Sequence, residues 1–202
     1  MEHGPVANTE MCVYCFDVLV CHFRNDPKPS CPFDANAELP MFVTLNTVDK
    51  RNRTSLRGCI GSLSPRPLHD LSYFVMSSAF RDRRFSPLAH DELHNIELSV
   101  SLLVNYEDGA HYLDWEIDIH GIIVEFEDNG SRYSATYLPG VVPEQGWNRE
   151  QAIESLVRKS GYSGKITKAI LQAIKLTRYQ SSKECLHFRE YTSIRNGQHG
   201  HL

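Results

Sequence analysis

The sequence lacks several features that would assign the chain to a specialised class. No apolar run reaches the roughly 18 residues that a membrane helix needs, and residues 1–5 have no basic region followed by a hydrophobic stretch. Internal repeats, a phosphate-binding loop and a dinucleotide-binding glycine pattern are also missing. We therefore expect no membrane association and no cofactor, and we place the protein in the cytosol, the nucleus or both.

Neither sign of charge predominates. Lys and Arg total 21 and Asp and Glu total 25, for a net charge of −4. Proteins that bind nucleic acid through counterion release are normally basic, so this balance disfavours a nucleic-acid partner without eliminating it. A hydrophobic content of 41% in 202 residues supports one substantial core. We therefore expect the partner to be an unidentified protein or small-molecule ligand.

The apolar pattern predicts an α+β fold with a mainly antiparallel sheet and helices packed against it. Cys12, Phe16 and Leu19 recur at helical spacing, which predicts a buried helix over residues 11–23. Asn129-Gly130 predicts a tight hairpin turn, because both residues accept positive φ. Further helices are predicted after Pro67, over 149–160 and over 165–176, and strands over 41–46, 55–61, from 98, 121–126, 132–138 and 177–188.

The six cysteines are predicted to be free thiols, because no secretion signal accompanies them. Cys12 and Cys15 form a C-x-x-C pair, with Cys21, His22 and Cys31 downstream as further zinc ligands in principle. The pair lies in an apolar helical run without turn residues, and unliganded cysteine is commonly buried. We therefore favour a core helix over a zinc site and predict no metal.

The strongest candidate site surrounds Cys59, which lies between Gly58 and Gly61 and near Arg57. A thiolate is a nucleophile, nearby cations favour it, and glycines let backbone N–H groups approach a ligand. The alternative is that these glycines merely permit close packing.

Charged residues elsewhere in the chain extend this candidate site. Asp82 and Arg84 follow a predicted helix, where they either bind an anion or form a solvated helix end. His120 is a candidate general base for the Cys59 thiol.

These segments also carry a family resemblance. Leu56-Arg57-Gly58-Cys59-Ile60-Gly61 matches the signature hexapeptide of the AMMECR family, and the chain resembles its eukaryotic members from Met11 to Tyr191. The further matching motifs are Asp82 with Arg84-Phe85 and Pro87, Ser99-Val100-Ser101-Leu102-Leu103, His120-Gly121, Thr136-Tyr137-Leu138-Pro139, Glu144-Gln145-Gly146-Trp147 and Lys175-Leu176-Thr177-Arg178-Tyr179.

The resemblance implies a two-lobed α+β fold, with a smaller annexed lobe and the hexapeptide near a cleft between the lobes. We expect one AMMECR-type domain over residues 1–194 and a flexible tail over 195–202. The family has no settled activity, so its name predicts the fold better than the function.

Two functions are compatible with these residues. The first is a thiol-dependent enzyme acting on a small anionic or nucleotide-like substrate in a cleft at Cys59, with His120 or Asp82 assisting the nucleophile. Its substrate would be held by the side chains and backbone N–H groups of Arg57, Arg84, Gly58 and Gly61. The second is a non-catalytic binding or scaffold protein that uses the same surface.

Overall fold

A computed structural model describes residues 6–34 and 37–198. No helix in these described ranges is long and apolar enough to cross a membrane. The helices are α1 (Thr9–Arg24), α2 (Leu71–Phe80), α3 (Val141–Gln145), α4 (Arg149–Lys159), α5 (Lys168–Ala173) and α6 (Phe188–Gln198). The strands are β1 (Glu38–Val48), β2 (Thr54–Pro67), β3 (Ile96–Asp108), β4 (Gly121–Asp128), β5 (Ser131–Tyr137) and β6 (Lys175–His187).

The chain divides into two compact units, one of Met1–Leu103 with Ser182–Leu202 and one of Val104–Ser181. Strands β3 and β6 contribute residues to both units, and the strand order is β2-β1-β3-β6-β4-β5. The pairs β1–β2, β1–β3, β4–β5 and β4–β6 are all antiparallel. The predicted α+β fold with a mainly antiparallel sheet is therefore confirmed.

In the first unit α2 packs against β1 and β2, and α1 packs against α2 and α6. Asn8 accepts the Met11 N–H at the start of α1, and Asn25 ends the helix in the left-handed region at φ 56°. Cys12 and Cys15 are fully buried in this helix, which confirms the prediction of a core helix. The other fully enclosed apolar side chains of this unit include Phe16, Leu19, Met41, Val43, Leu45, Leu71, Val75, Leu98, Val100 and Leu102.

The second unit packs α4 and α5 against the β4–β5 hairpin. The predicted turn is confirmed, with Asn129 at φ 48° and Gly130 at φ 75°. The Asn148 side chain accepts the Gln151 N–H and the Gln151 side chain accepts the Asn148 N–H, so a capping box starts α4. The hydrophobic core of this unit includes Trp115, Ile122, Val124, Ile153, Leu156, Val157 and Leu176.

Several predicted element bounds were wrong. Helix α5 starts only after the Thr167 cap and ends before Ile174, which is extended, so it is shorter than the predicted 165–176. Strand β2 continues past Gly61 to Pro67. Helix α6 was not predicted, and it makes residues 195–198 helical rather than part of a tail. Residues 199–202 of the predicted tail lie outside the described ranges.

Candidate functional site

The hexapeptide occupies the middle of β2, where a β-bulge interrupts the pairing with β1. Leu45 pairs with Gly58 and Asn46 with Leu56, so Arg57 is the extra residue of the bulge. Its side chain is buried and donates to Glu92 through Nε (2.9 Å) and Nη2 (3.0 Å). Because Glu92 engages this guanidinium, Arg57 holds β2 to the segment before β3.

The two glycines of the hexapeptide each allow a close backbone approach. A Cβ on Gly58 would lie 2.1 Å from the Ser78 carbonyl oxygen, which belongs to α2. A Cβ on Gly61 would lie 2.2 Å from the Met41 carbonyl oxygen and would overlap the Phe42 ring. Packing therefore accounts for both glycines, and their predicted role as backbone donors to a ligand stays a prediction.

Ser78 links α2 to two neighbouring strands. Its hydroxyl accepts the Ile60 N–H at 2.9 Å and donates to the Val43 carbonyl oxygen at 2.8 Å. Val43 and Ile60 are register partners in β1 and β2, so the hydroxyl bridges the strand pair. The side chain is 1% exposed, and this bond fixes β2 immediately after Cys59.

Asp82 and Arg84 hold the peptide groups on both sides of Cys59. Asp82 Oδ2 accepts the Cys59 N–H at 2.9 Å, and Arg84 Nη2 donates to the Cys59 carbonyl oxygen at 3.2 Å. Arg84 also donates to Asp82 through Nε (2.9 Å) and Nη2 (2.6 Å). These hydrogen bonds from Arg84 hold the pKa of the Asp82 carboxyl well below its ordinary value, so Asp82 is a buried carboxylate with assigned partners.

The Cys59 thiol is half-buried and accepts a hydrogen bond from the Thr44 hydroxyl at 3.2 Å. Thr44 is the register partner of Cys59 on β1, which places the two side chains on the same sheet face. Burial raises the pKa of the Cys12 thiol to about 12 and also raises the pKa of Cys15. Cys59 thus differs from these two core thiols in its exposure and in its hydroxyl partner.

His120 belongs to the second unit, whereas the other predicted site residues belong to the first. Its Nδ1 accepts the Glu116 N–H at 3.0 Å, and its own backbone N–H donates to the Glu116 carbonyl oxygen at 3.0 Å. With Nδ1 occupied as an acceptor, a neutral ring carries its proton on Nε2 and offers a donor there. The role of His120 as a general base stays a prediction.

The structure thus joins Cys59, Asp82 and Arg84 in one hydrogen-bonded cluster and pairs Arg57 with Glu92. Within the described ranges, no group of three or more His, Cys, Asp or Glu side chains is arranged to hold a metal ion.

Sequence reasoning missed three partners in this region, Thr44, Ser78 and Glu92. A buried arginine requires an anionic partner, but the sequence of this strand did not indicate that Arg57 is buried.

Comparison with known proteins gives the same family as the resemblance of the hexapeptide. The AMMECR1 family model matches residues 12–184. The chain belongs to the AMMECR1 family. An uncharacterized protein of Arabidopsis thaliana is 47% identical over 190 residues, which cover 93% of this chain and 88% of the relative. An uncharacterized protein of Schizosaccharomyces pombe is 40% identical over 186 residues, which cover 90% of this chain and 94% of the relative.

A solved structure supports the fold of this AMMECR1-family chain. The crystal structure of an uncharacterized protein from Pyrococcus horikoshii superposes with a TM-score of 0.60 at 24% identity. The match covers 86% of this chain and 88% of the archaeal one. At this identity the likeness concerns the fold alone.

Family motifs of the second unit meet at Tyr179. Its phenol oxygen lies 2.9 Å from Thr136 Oγ1 and donates to the Tyr137 carbonyl oxygen at 3.1 Å. A Cβ on Gly121 would lie only 2.5 Å from Cζ of the Tyr179 ring, so the glycine leaves room for this ring. Burial raises the pKa of Tyr179 to about 12, so this phenol stays neutral. These motifs therefore serve the packing of the second unit.

Proposed function

We propose that this AMMECR1-family protein is a thiol-dependent enzyme that acts on a small anionic or nucleotide-like substrate at Cys59. The supporting observation is the fixed backbone of a half-exposed cysteine, whose N–H and carbonyl groups both bond to the Asp82–Arg84 pair. Rigid placement of a reacting atom by surrounding hydrogen bonds is what a nucleophile requires.

Each cluster residue takes a role that its contacts favour. Cys59 is the nucleophile, and the Thr44 hydroxyl stabilises developing charge on its sulfur by donating to it. The Arg84 side chain is 55% exposed, so its outer edge can bind an anionic substrate while its inner edge holds Asp82. Asp82 is a positioning residue in this scheme. The sequence-based prediction of His120 as general base is not part of it, because the Glu116 N–H already occupies the Nδ1 lone pair of that ring.

Differential alkylation tests this proposal. Native protein is treated with iodoacetamide at a series of pH values, and the labelled peptides are identified by mass spectrometry. Cys59 should react while the fully buried Cys12 and Cys15 stay unlabelled. Labelling of Cys59 only after unfolding would contradict a thiol mechanism.

A genetic experiment then tests function rather than access. In cells without the endogenous protein, we expect wild-type protein but not the Cys59→Ser variant to restore the metabolite profile. Full restoration by Cys59→Ser would exclude the thiol as nucleophile.

A non-catalytic binding or scaffold function is the second candidate. It is favoured by the absence of a free base among these groups, because Arg84 holds Asp82 and the Glu116 N–H occupies His120 Nδ1. In that case Cys59→Ala should leave partner capture intact, whereas Arg84→Glu should abolish it. The opposite pattern of results would favour the enzyme.

A further inference from the structure

A groove of about 560 Å³ runs along α4 in the second unit. The residues of the Cys59 cluster belong to the first unit. This volume lies within the range of small-molecule sites, about 300 to 1,000 Å³. The lining side chains that carry the argument are Trp147, Gln151, Glu154, Ser155, Arg158 and Lys165.

The groove follows one stripe of α4. Gln151, Ser155 and Arg158 are spaced at i, i+4 and i+7, which places them on one helical face. The opposite face, with Ala152, Ile153, Leu156 and Val157, is buried in the core. At 1.5 Å per residue, Gln151 and Arg158 are separated by roughly 10 Å along the helix axis. The amide, the hydroxyl and the guanidinium therefore follow one another in a line.

An aromatic side chain, Trp147, lines one end of this row of polar groups. Trp147 is half-buried, and its ring centroid lies 5.9 Å from that of Tyr137. The Tyr137 phenol oxygen lies 2.9 Å from Ser155 Oγ, and Lys159 Nζ lies 4.5 Å from the Tyr137 ring centroid. These contacts hold the tryptophan beside the groove, where its ring lines the space available to a ligand.

Two cations stand at the other end. Arg158 Nη1 donates to the carbonyl oxygens of Tyr162 (2.9 Å) and Gly164 (2.7 Å), which fixes the loop that carries Lys165. Lys165 is exposed, and its carbonyl oxygen accepts the Tyr162 phenol at 3.4 Å, whereas its ammonium group makes no hydrogen bond or ion pair in the described part of the chain. With one carboxylate, Glu154, among the lining residues, the lining carries a net charge of about +1 in a chain of net charge −4. An anion is thus favoured at this end.

We propose that the groove binds a mononucleotide. The planar base stacks on Trp147, and the sugar hydroxyls bond to Gln151, Ser155 and the acceptor oxygens of Glu154. The phosphate binds Lys165 and the remaining guanidinium nitrogens of Arg158. The order aromatic, polar, cationic along roughly 10 Å matches the order base, sugar, phosphate. This site does not depend on Cys59.

Intrinsic fluorescence provides the test, because the chain has two tryptophans and Trp115 is 1% exposed. Adenosine 5′-monophosphate is titrated into the native protein, with inorganic phosphate and adenosine in parallel. We expect saturable quenching by the nucleotide at least about tenfold tighter than by either fragment. Quenching should disappear in Trp147→Phe, while calorimetry on the same variant should show weaker binding rather than none.

Charge reversal separates a specific site from general electrostatics. Lys165→Glu should weaken nucleotide binding by about tenfold or more, because it removes a charge-assisted bond to the phosphate. Lys168→Glu is the matched control, since Lys168 is exposed, three residues away and outside the groove. Equal weakening by both variants, no saturable quenching, or binding of a single-stranded oligonucleotide without mononucleotide binding would overturn the proposal.

Discussion

The Arg57–Glu92 pair yields a prediction that depends on unequal burial of its two members. The Arg57 side chain is 10% exposed and the Glu92 side chain 34% exposed. Glu92→Ala leaves a mostly buried guanidinium without its carboxylate, and removing one partner of a buried ion pair costs about 3 to 5 kcal/mol. It also removes the 2.7 Å bond from the Ala89 N–H to Glu92 Oε2. Because Glu92 is partly hydrated already, we expect a loss of about 3 kcal/mol.

The reverse substitution should be milder. Arg57→Met removes the charge itself, together with Nη1, which is buried and has no partner in the described part of the chain. The carboxylate that remains can hydrate, so we expect a cost of about 1 to 2 kcal/mol. The double variant should then be more stable than Glu92→Ala alone by about 1 to 2 kcal/mol, because it no longer buries an unpaired charge.

Urea unfolding followed by far-ultraviolet circular dichroism measures these differences. Tryptophan fluorescence is unsuitable, because Trp115 and Trp147 both belong to the other unit. Arg53→Met serves as the control, since its pair with Asp49 is 73% and 40% exposed and its loss should change stability little. If the double variant is less stable than Glu92→Ala, the argument from burial is refuted.

Three further predictions concern packing, pH and a buried phenol. Gly58→Ala should cost about 2 to 3 kcal/mol by urea unfolding, because its Cβ would lie 2.1 Å from the Ser78 carbonyl oxygen. Gly197→Ala, whose Cβ would meet nothing within 4 Å in α6, should be neutral or stabilising. The pKa of Asp82 is lower in the folded protein than its ordinary 3.8, so its contribution is complete above about pH 4 and is lost as the pH falls further. Asp82→Asn should therefore lose less stability than wild type between pH 7 and pH 3. Tyr179→Phe should cost about 1 to 2 kcal/mol in the same assay, because it removes two partly buried hydrogen bonds. An unchanged midpoint would show that the phenol contributes packing alone.

Local signals in the sequence predicted the local structure well. Asn129-Gly130 specified its turn because few other residue pairs accept positive φ at both positions. The apolar residues of α1 recur at helical spacing, and this pattern can be recognised from the segment alone. A buried helix could therefore be predicted without knowledge of the rest of the fold. Helix α6 was missed because its sequence is mostly polar. It is held by long-range contacts, such as the bond from the Tyr191 phenol to Asp17 at 2.9 Å.

Three of the predicted site residues lie in one hydrogen-bonded cluster, but the bonds that connect them were not predicted. Sequence reasoning selected Cys59, Asp82 and Arg84, and the structure joins them. It assigned Asp82 to assist the thiol, whereas Asp82 bonds to the Cys59 peptide. Which atom of a cysteine faces a carboxylate depends on strand register and on the β-bulge at Arg57, and a single sequence does not define either.

The Asp82–Arg84 pair also has a consequence for association between chains. Strand β2 is one of the two edge strands of the sheet. At Cys59 the pair offers one acceptor for the N–H and one donor for the carbonyl, which is what the peptide group of an adjoining strand would offer. The Asp82–Arg84 pair therefore satisfies the backbone groups of Cys59, which then cannot pair with a strand of another molecule. Loss of Asp82 should leave the Cys59 N–H on this edge without its acceptor. Variants at Asp82 should therefore aggregate through β2 in addition to losing stability.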